Sequence, residues 1–428
     1  MKKLYFVDSI HRSIEPEVNL VDVTLIPTEA GECLAENGDG EEHYPIVVTL
    51  QPSQLQYDTR GGDIQEGWYV YYNDQPKQRQ LFFTYANHTV YAQREIKRND
   101  TLRSDLLNLS ASFRDNLSQD ELDILLYRSE VTSYHVNVGH GNCSLILIRS
   151  ELGYQLWMVD CSIQEGINKV VRYQYHKKEL EATLADIAAT LDISVDDLRI
   201  HRFFLTHMHY DHYNGMMYLI RNGLINAETI CYLNLYYQMA SKKLNNILEA
   251  MKNGNVIKIV EPLMANGKDV FQILHPECHI TRSLATSKGV AHYRVVKNVN
   301  NSSIVVRMNL GVRSMTFTGD IEQDGYREMS KCISYPPICF TDYYAVSHHG
   351  SLNGHPPYNK AMVTPFFSRN YLSAAVLMGR DGAYYGIFSN YVINELRSFT
   401  RLYTTSDNNG KLISAIKIYW QRGSVRYV

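Results

Sequence analysis

The stretch "RFFLTHMHYDHYNG", Arg202 to Gly215, decides how this chain is read. An apolar run ends at Leu205, and His207, His209, Asp211 and His212 then fall within six residues. With 16 histidines in 428 residues, chance would place this HxHxDH pattern in roughly one chain in a thousand. On an extended segment the side chains at i and i+2 point the same way, so His207 and His209 can chelate one ion. Asp211 and His212 come where the chain turns into "YNGMMYLI" and face a neighbouring position, where a second ion fits. Imidazole nitrogen with carboxylate oxygen is the donor set of zinc sites that keep a position open for water. Two divalent ions are therefore expected, zinc first, with manganese or magnesium as alternatives.

On both sides of this motif, from Val131 onward, strands alternate with helices, the texture of a layered α/β domain. "SYHVNVGHGNCSLILIR", "YQLWMVDCS", "VFQILHP", "SSIVVRMNL", "SMTFTGD" and "DYYAVSHHGS" read as strands. "KELEATLADIAATL", "ASKKLNNILEAMKNG" and "SNYVINELRSF" read as helices, and "NGKLISAIKIYW" as a closing hairpin. Residues 1–98 hold short β-rich runs between turn signals, "NLVDVTLIP", "YPIVVTL", "GWYVYY", "QLFFTY" and "HTVYAQREI", and read as a small β domain without a catalytic cluster. Residues 99–130 read as a helical connector, leaving 131–428 as the domain that bears the motif.

The bulk properties fit a soluble protein of two or three domains. No run approaches 18 apolar residues, and Asp8 breaks the only apolar stretch near the N-terminus, so neither a membrane span nor a signal peptide is expected. Seven scattered cysteines without a CxxC pair point to reduced thiols and a cytoplasmic location. A net charge of -3 excludes a uniformly basic surface but not a local basic groove.

The set "VGHGN … VDCS … THMHYDH … NNSSIVVRM … FTGDIE … VSHHGS" resembles the metallo-β-lactamase superfamily. Within it, the set is most similar to the soluble nuclease-like domain of the DNA-uptake protein ComEC and its stand-alone relatives, over about residues 131–428. The resemblance implies an αββα sandwich, with Asp160 as the strand-end aspartate, Asp320 as the bridging aspartate and His348 or His349 as the last ligand. The family's third histidine for the first metal has no counterpart: its place holds Asn300 and Asn301, as in ComEC-like sequences. These asparagines are candidate replacement ligands, and His275 and His292 are more distant substitutes.

Two ions bridged by Asp320 would lower the pKa of a water towards neutrality and supply hydroxide for attack, with Asp211 also orienting the nucleophile. The resemblance implies phosphodiester hydrolysis, hence a phosphodiesterase or nuclease acting on DNA or RNA. An ester, thioester or lactone hydrolase and a non-catalytic binding or regulatory module are the alternatives. Asp160 is expected to orient a ligand or loop, and His140, Ser347 and Ser351 are candidates for substrate contact. Arg172, Lys177, Lys178, Lys242 and Lys243 lie in basic runs that could follow a phosphate backbone. Stand-alone relatives occur in prokaryotic operons, including defence-like ones, and the N-terminal domain is a candidate for docking a partner protein or a second copy.

Overall fold

A computed structural model of the chain describes residues 2–12, 20–27, 46–52, 66–72, 83–86, 90–110, 117–163, 167–168, 176–235, 239–255, 258–260, 270–275, 299–332, 341–356, 372–381, 386–405 and 413–428. The chain opens with strands β1 (Lys2–Arg12), β2 (Val21–Pro27), β3 (Ile46–Leu50), β4 (Gly67–Tyr72) and β5 (Phe83–Tyr85). Helices α1 (Val90–Ser110) and α2 (Gln119–Asp123) follow. Next come β6 (Glu130–Val136), β7 (Cys143–Ser150), β8 (Gly153–Cys161), β9 (Ile167–Asn168) and α3 (Lys177–Leu191). β10 (Arg202–Leu205) runs into α4 (Tyr210–Tyr213) and α5 (Met216–Arg221). β11 (Ile230–Leu233), α6 (Lys242–Ala250), β12 (Lys258–Val260), β13 (Phe271–His275), β14 (Val305–Leu310) and β15 (Arg313–Phe317) continue the alternation. The chain finishes with α7 (Gln323–Cys332), β16 (Tyr343–Ala345), β17 (Ala374–Leu377), α8 (Asn390–Phe399), β18 (Arg401–Thr404), β19 (Ala415–Tyr419) and β20 (Ser424–Tyr427).

Among the described residues these strands make three sheets. One has the order β12-β11-β10-β8-β7-β6-β19-β20 and another β13-β14-β15-β16-β17-β18. Their facing sides share one apolar layer, with Ile146, Trp157 and Phe204 from the first meeting Val306, Met315 and Val376 from the second. The outer face of the first is covered by Leu184 of α3, Leu219 of α5 and Leu248 of α6. The outer face of the second is covered by Tyr326 and Met329 of α7 and Leu396 of α8. The layer order is therefore αββα, as the resemblance implies. Both faces of β7 and β8 are covered, which is why their sequences are near-continuous apolar runs rather than alternating ones.

The third sheet, β5-β4-β1-β2-β3-β9, is built from the N-terminal strands and closed by β9. Its two faces pack differently. Tyr5, Val7, Val23 and Tyr69 form their own small core, whereas Phe6, Ile26 and Trp68 join the core beneath the helices of the eight-stranded sheet. Two expectations need correction. "HTVYAQREI" is not a strand, because α1 begins at Val90. The opening "KKLYFVDSIHR", not read as a strand, is the longest one described.

Candidate metal centre

β10 ends at Leu205, and the chain emerges between the two facing sheets carrying the HxHxDH residues. Asp160, at the end of β8, holds this turn together. Its Oδ1 accepts the Thr206 N–H at 2.7 Å, and its Oδ2 accepts the Thr206 hydroxyl at 2.8 Å. The same Oδ2 lies 2.8 Å from Nδ1 of His212, which leaves the His212 Nε2 aimed inward. His349 is set by a similar device: its Nδ1 lies 3.0 Å from the Met378 carbonyl, and its Nε2 points inward. A carbonyl or carboxylate fixing one ring nitrogen so that the other faces an ion is the usual support of histidine ligands.

Asp211, His212, Asp320 and His349 thereby each offer one donor atom, and these atoms all lie within 4.8 Å of one another. His349 Nε2 is 3.3 Å from Asp211 Oδ2 and 3.4 Å from Asp320 Oδ2, while His212 Nε2 is 3.4 Å from Asp320 Oδ1. Ligand atoms around a tetrahedral zinc stand roughly 3.3 Å apart. Asp211 Oδ2, His212 Nε2, Asp320 Oδ1 and His349 Nε2 are buried and reach no atom in hydrogen-bond geometry. Buried polar atoms are nearly always satisfied, so four convergent exceptions fit a cation well. His207 and His209 are a second pair, with Nε2 of the first 3.0 Å from Nδ1 of the second and His209 Nε2 likewise without a hydrogen bond.

Electrostatics runs the same way. Burial pushes the Asp320 carboxyl up, but the charges of His349, His212 and His348 outweigh it and hold it well below the carboxylate range. For Asp211, burial is outweighed by His212, His140 and His349. Burial, with neighbouring histidines, drives His207 well down, and burial brings His209 to about 4, so both rings are neutral at pH 7, as ligands must be. Against burial, the surrounding carboxylates raise His349 to about 10 and His212 well above the usual histidine range, so without an ion both rings carry a second proton, which a bound cation would displace.

The remaining candidates divide clearly. His348 and His349 occupy successive left-handed backbone positions, φ 46° and 48°, which send their rings to different sides. His349 joins the group of four. His348 instead faces Asn300, Nε2 to Nδ2 3.4 Å, and comes no nearer to Asp320 than 3.9 Å. His140 Nε2 is 3.1 Å from Asp211 Oδ2. Asn301 does not serve as a replacement ligand, because its Oδ1 accepts the Glu322 and Gly325 N–H groups at the start of α7. Asn300 does face the site, its side chain held by Glu322. His275 Nδ1 lies 2.8 Å from the Ser303 carbonyl, and His292 lies outside the described residues. Ser347 donates to the Ile321 carbonyl and Ser351 Oγ accepts the Gly354 N–H, so both brace turns.

Of the basic candidates, Lys243 reaches the motif, with Nζ 2.8 Å from the Tyr210 hydroxyl. Lys177 is paired with Glu181 at 3.1 Å. Lys178 is exposed on α3, Lys242 is half-buried at the start of α6, and Arg172 lies outside the described residues. Two residues were missed. Asp8 of β1 accepts the Tyr210 N–H at 2.8 Å, and His11 Nδ1 is 3.4 Å from His348 Nε2. The "DSIHRS" segment gave no local signal for either.

The chain matches no protein-family model and no curated protein in sequence. Its structure is similar to that of the metallo-β-lactamase fold protein YhfI from Bacillus subtilis, at 10% identity and a TM-score of 0.32, covering 64% of this chain and 97% of that one. It is also similar to a long form RNase Z from yeast, at 9% identity and a TM-score of 0.34, covering 83% of this chain and 51% of that one. Among the described residues no helix is long and apolar enough to cross a membrane.

Proposed function

We propose that this chain is a metal-dependent hydrolase that cleaves phosphodiester bonds of nucleic acid, with DNA as the first substrate to try and RNA as the second. The observation that carries the reading is the buried convergence of Asp211, His212, Asp320 and His349, whose inward atoms reach no atom in hydrogen-bond geometry. In this reading those four residues would hold one divalent ion, and His207 and His209 would contribute to a second. Ions held there would lower the pKa of a water towards neutrality and steady the electrophile's oxygen as charge builds. Asp160 keeps the His212 proton on Nδ1, and the Met378 carbonyl does the same for His349. Nucleic acid as the substrate rests on the ComEC-like motif set and on Lys243, a cation attached to the motif through Tyr210.

The test is a gel assay of the purified chain on labelled single- and double-stranded DNA and RNA, with zinc, manganese or magnesium. Cleavage is expected with at least one metal, falling by about 10²–10³-fold or more in a His207→Ala, Asp320→Asn variant. Absence of cleavage with every metal and strand would reject nucleic acid as the substrate. Cleavage undiminished in the variant would reject the site.

A further inference from the structure

β1 pairs with β2 in register up to Val7↔Leu25, and the register resumes at Ser9↔Thr24, so Asp8 is an extra residue. Such a bulge reverses the alternation of a strand beyond it. Before the bulge, Tyr5 and Val7 face the small N-terminal core, and Phe6 faces the body of the molecule. After it, Ile10 packs towards the small core and His11 turns towards the body. Asp8 and His11 are three residues apart and would lie on opposite faces of a regular strand. Because of the bulge, both point at the candidate site.

Asp8 fixes the loop by accepting the N–H of Tyr210, the residue before Asp211. His11 is 5% exposed. Its ring centre is 5.5 Å from that of His348 and 6.0 Å from that of His140. His348 Nε2 stands 3.4 Å from His11 Nδ1 and 3.4 Å from Asn300 Nδ2. Glu322 Oε1 accepts from that Asn300 amide at 3.0 Å, which fixes the NH₂ end, a donor only, on the side of His348. Asp320 Oδ2 is 3.9 Å from His348 Nε2, so this nitrogen cluster borders the candidate metal group directly. Asn300 Nδ2 can only donate, and a neutral imidazole presents an N–H from either ring nitrogen according to its tautomer, so an anionic oxygen entering between His11 and His348 would take the N–H groups they now turn on one another.

We infer that His11 and His348 form a pair that grips an anionic phosphate oxygen of the substrate, making β1 of the N-terminal sheet a wall of the active site. The inference rests on the hydrolase reading above. The pair lies outside the four convergent donors, so it is a substrate-binding element delivered from 337 residues away in sequence.

The experiment uses the full chain loaded with zinc, with inorganic phosphate as the probe. Wild type, His11→Ala and His11→Gln are compared for bound metal by elemental analysis and for phosphate affinity by calorimetry. The expected result is unchanged metal content with phosphate binding about tenfold weaker in the alanine variant and intermediate in the glutamine variant, which keeps an N–H donor. If the alanine variant melts early, the glutamine variant provides the comparison. Unchanged phosphate affinity in both variants overturns the pair while leaving the hydrolase reading intact. Loss of metal from the variants overturns it in favour of His11 as a ligand. A wild type that takes up no metal, or binds no phosphate when loaded, overturns it as well, and the first of these also sinks the hydrolase reading.

Discussion

Asp160 sets the geometry of the candidate metal centre without being one of its four convergent donors. It is fully buried with φ at 55°, a left-handed backbone that a non-glycine residue adopts only where surrounding bonds hold it. Burial raises its carboxyl, partly opposed by His212 and Thr206. Its bond to His212 holds a ring proton on Nδ1 and aims Nε2 at Asp320, so that Nε2 is the nitrogen a cation would meet once its proton is displaced. Asp160→Asn preserves the shape but presents an N–H₂ to either Thr206 or Nδ1. In the second case the imidazole proton moves to Nε2, where the ion should bind. Zinc affinity of the chain is expected to fall by about 10–100-fold in this variant, read by competition with a chromophoric chelator. Wild-type affinity would mean that Asp160 holds only the backbone of the turn.

At the scale of elements, α1 explains what sequence reading saw and what it missed. Its inward face is Ala92, Glu95, Asn99, Leu102 and Leu106, a spacing of three and four residues. Two of these five are polar, so the helical stripe is hidden from hydropathy, and Val90 and Tyr91 beside Thr89 look like a strand. The stripe is satisfied from afar: Asn99 donates to the Met239 carbonyl and to Asn245 Oδ1, and Asn245 donates to the Glu95 carbonyl. Asn99→Ala strands those two acceptors and is expected to cost about 2–4 kcal/mol. A urea midpoint unmoved by the change would show that the network contributes nothing net. β7 and β8 were legible because near-continuous apolar runs survive any context, β14 because Arg307 and Asn309 alternate with buried Val306, Met308 and Leu310, and α3 because its period is regular. The bulge at Asp8 breaks the period of β1, so that strand and its His11 were not. HxHxDH was legible because its parts are adjacent. The choice between His348 and His349 was not, because it depends on the left-handed turn that aims each ring.

Over the whole molecule, the N-terminal sheet and the αββα body are one packed unit among the described residues. Phe6, Ile26 and Trp68 share a core with Leu184, Leu219 and Leu248, so stability and site geometry respond together. The eight-stranded sheet that this core supports carries its own acid weakness at His135 of β6, between β7 and β19. The ring is fully buried, with Nδ1 2.9 Å from the Ser144 hydroxyl and Nε2 3.2 Å from that of Ser133. Burial lowers its pKa to about 3, against about 6.5 in an unfolded chain. A histidine depressed in this way is neutral in the fold throughout the range 6.5 to 3, while the unfolded chain takes up a proton. Its stabilisation is therefore complete above pH 6.5 and drains away as the pH falls towards 3. Between pH 7 and pH 5 the loss from this one residue is about 2 kcal/mol. His135→Gln keeps hydrogen-bonding capacity without the titration, so urea unfolding at a fixed zinc concentration should show a shallower fall in stability over the same interval. The variant would start less stable at pH 7, because glutamine fills the ring's volume poorly, and the two curves should converge on acidification. Parallel curves would mean that the acid lability of this fold lies in groups other than His135, the depressed carboxyls of Asp211 and Asp320 among them.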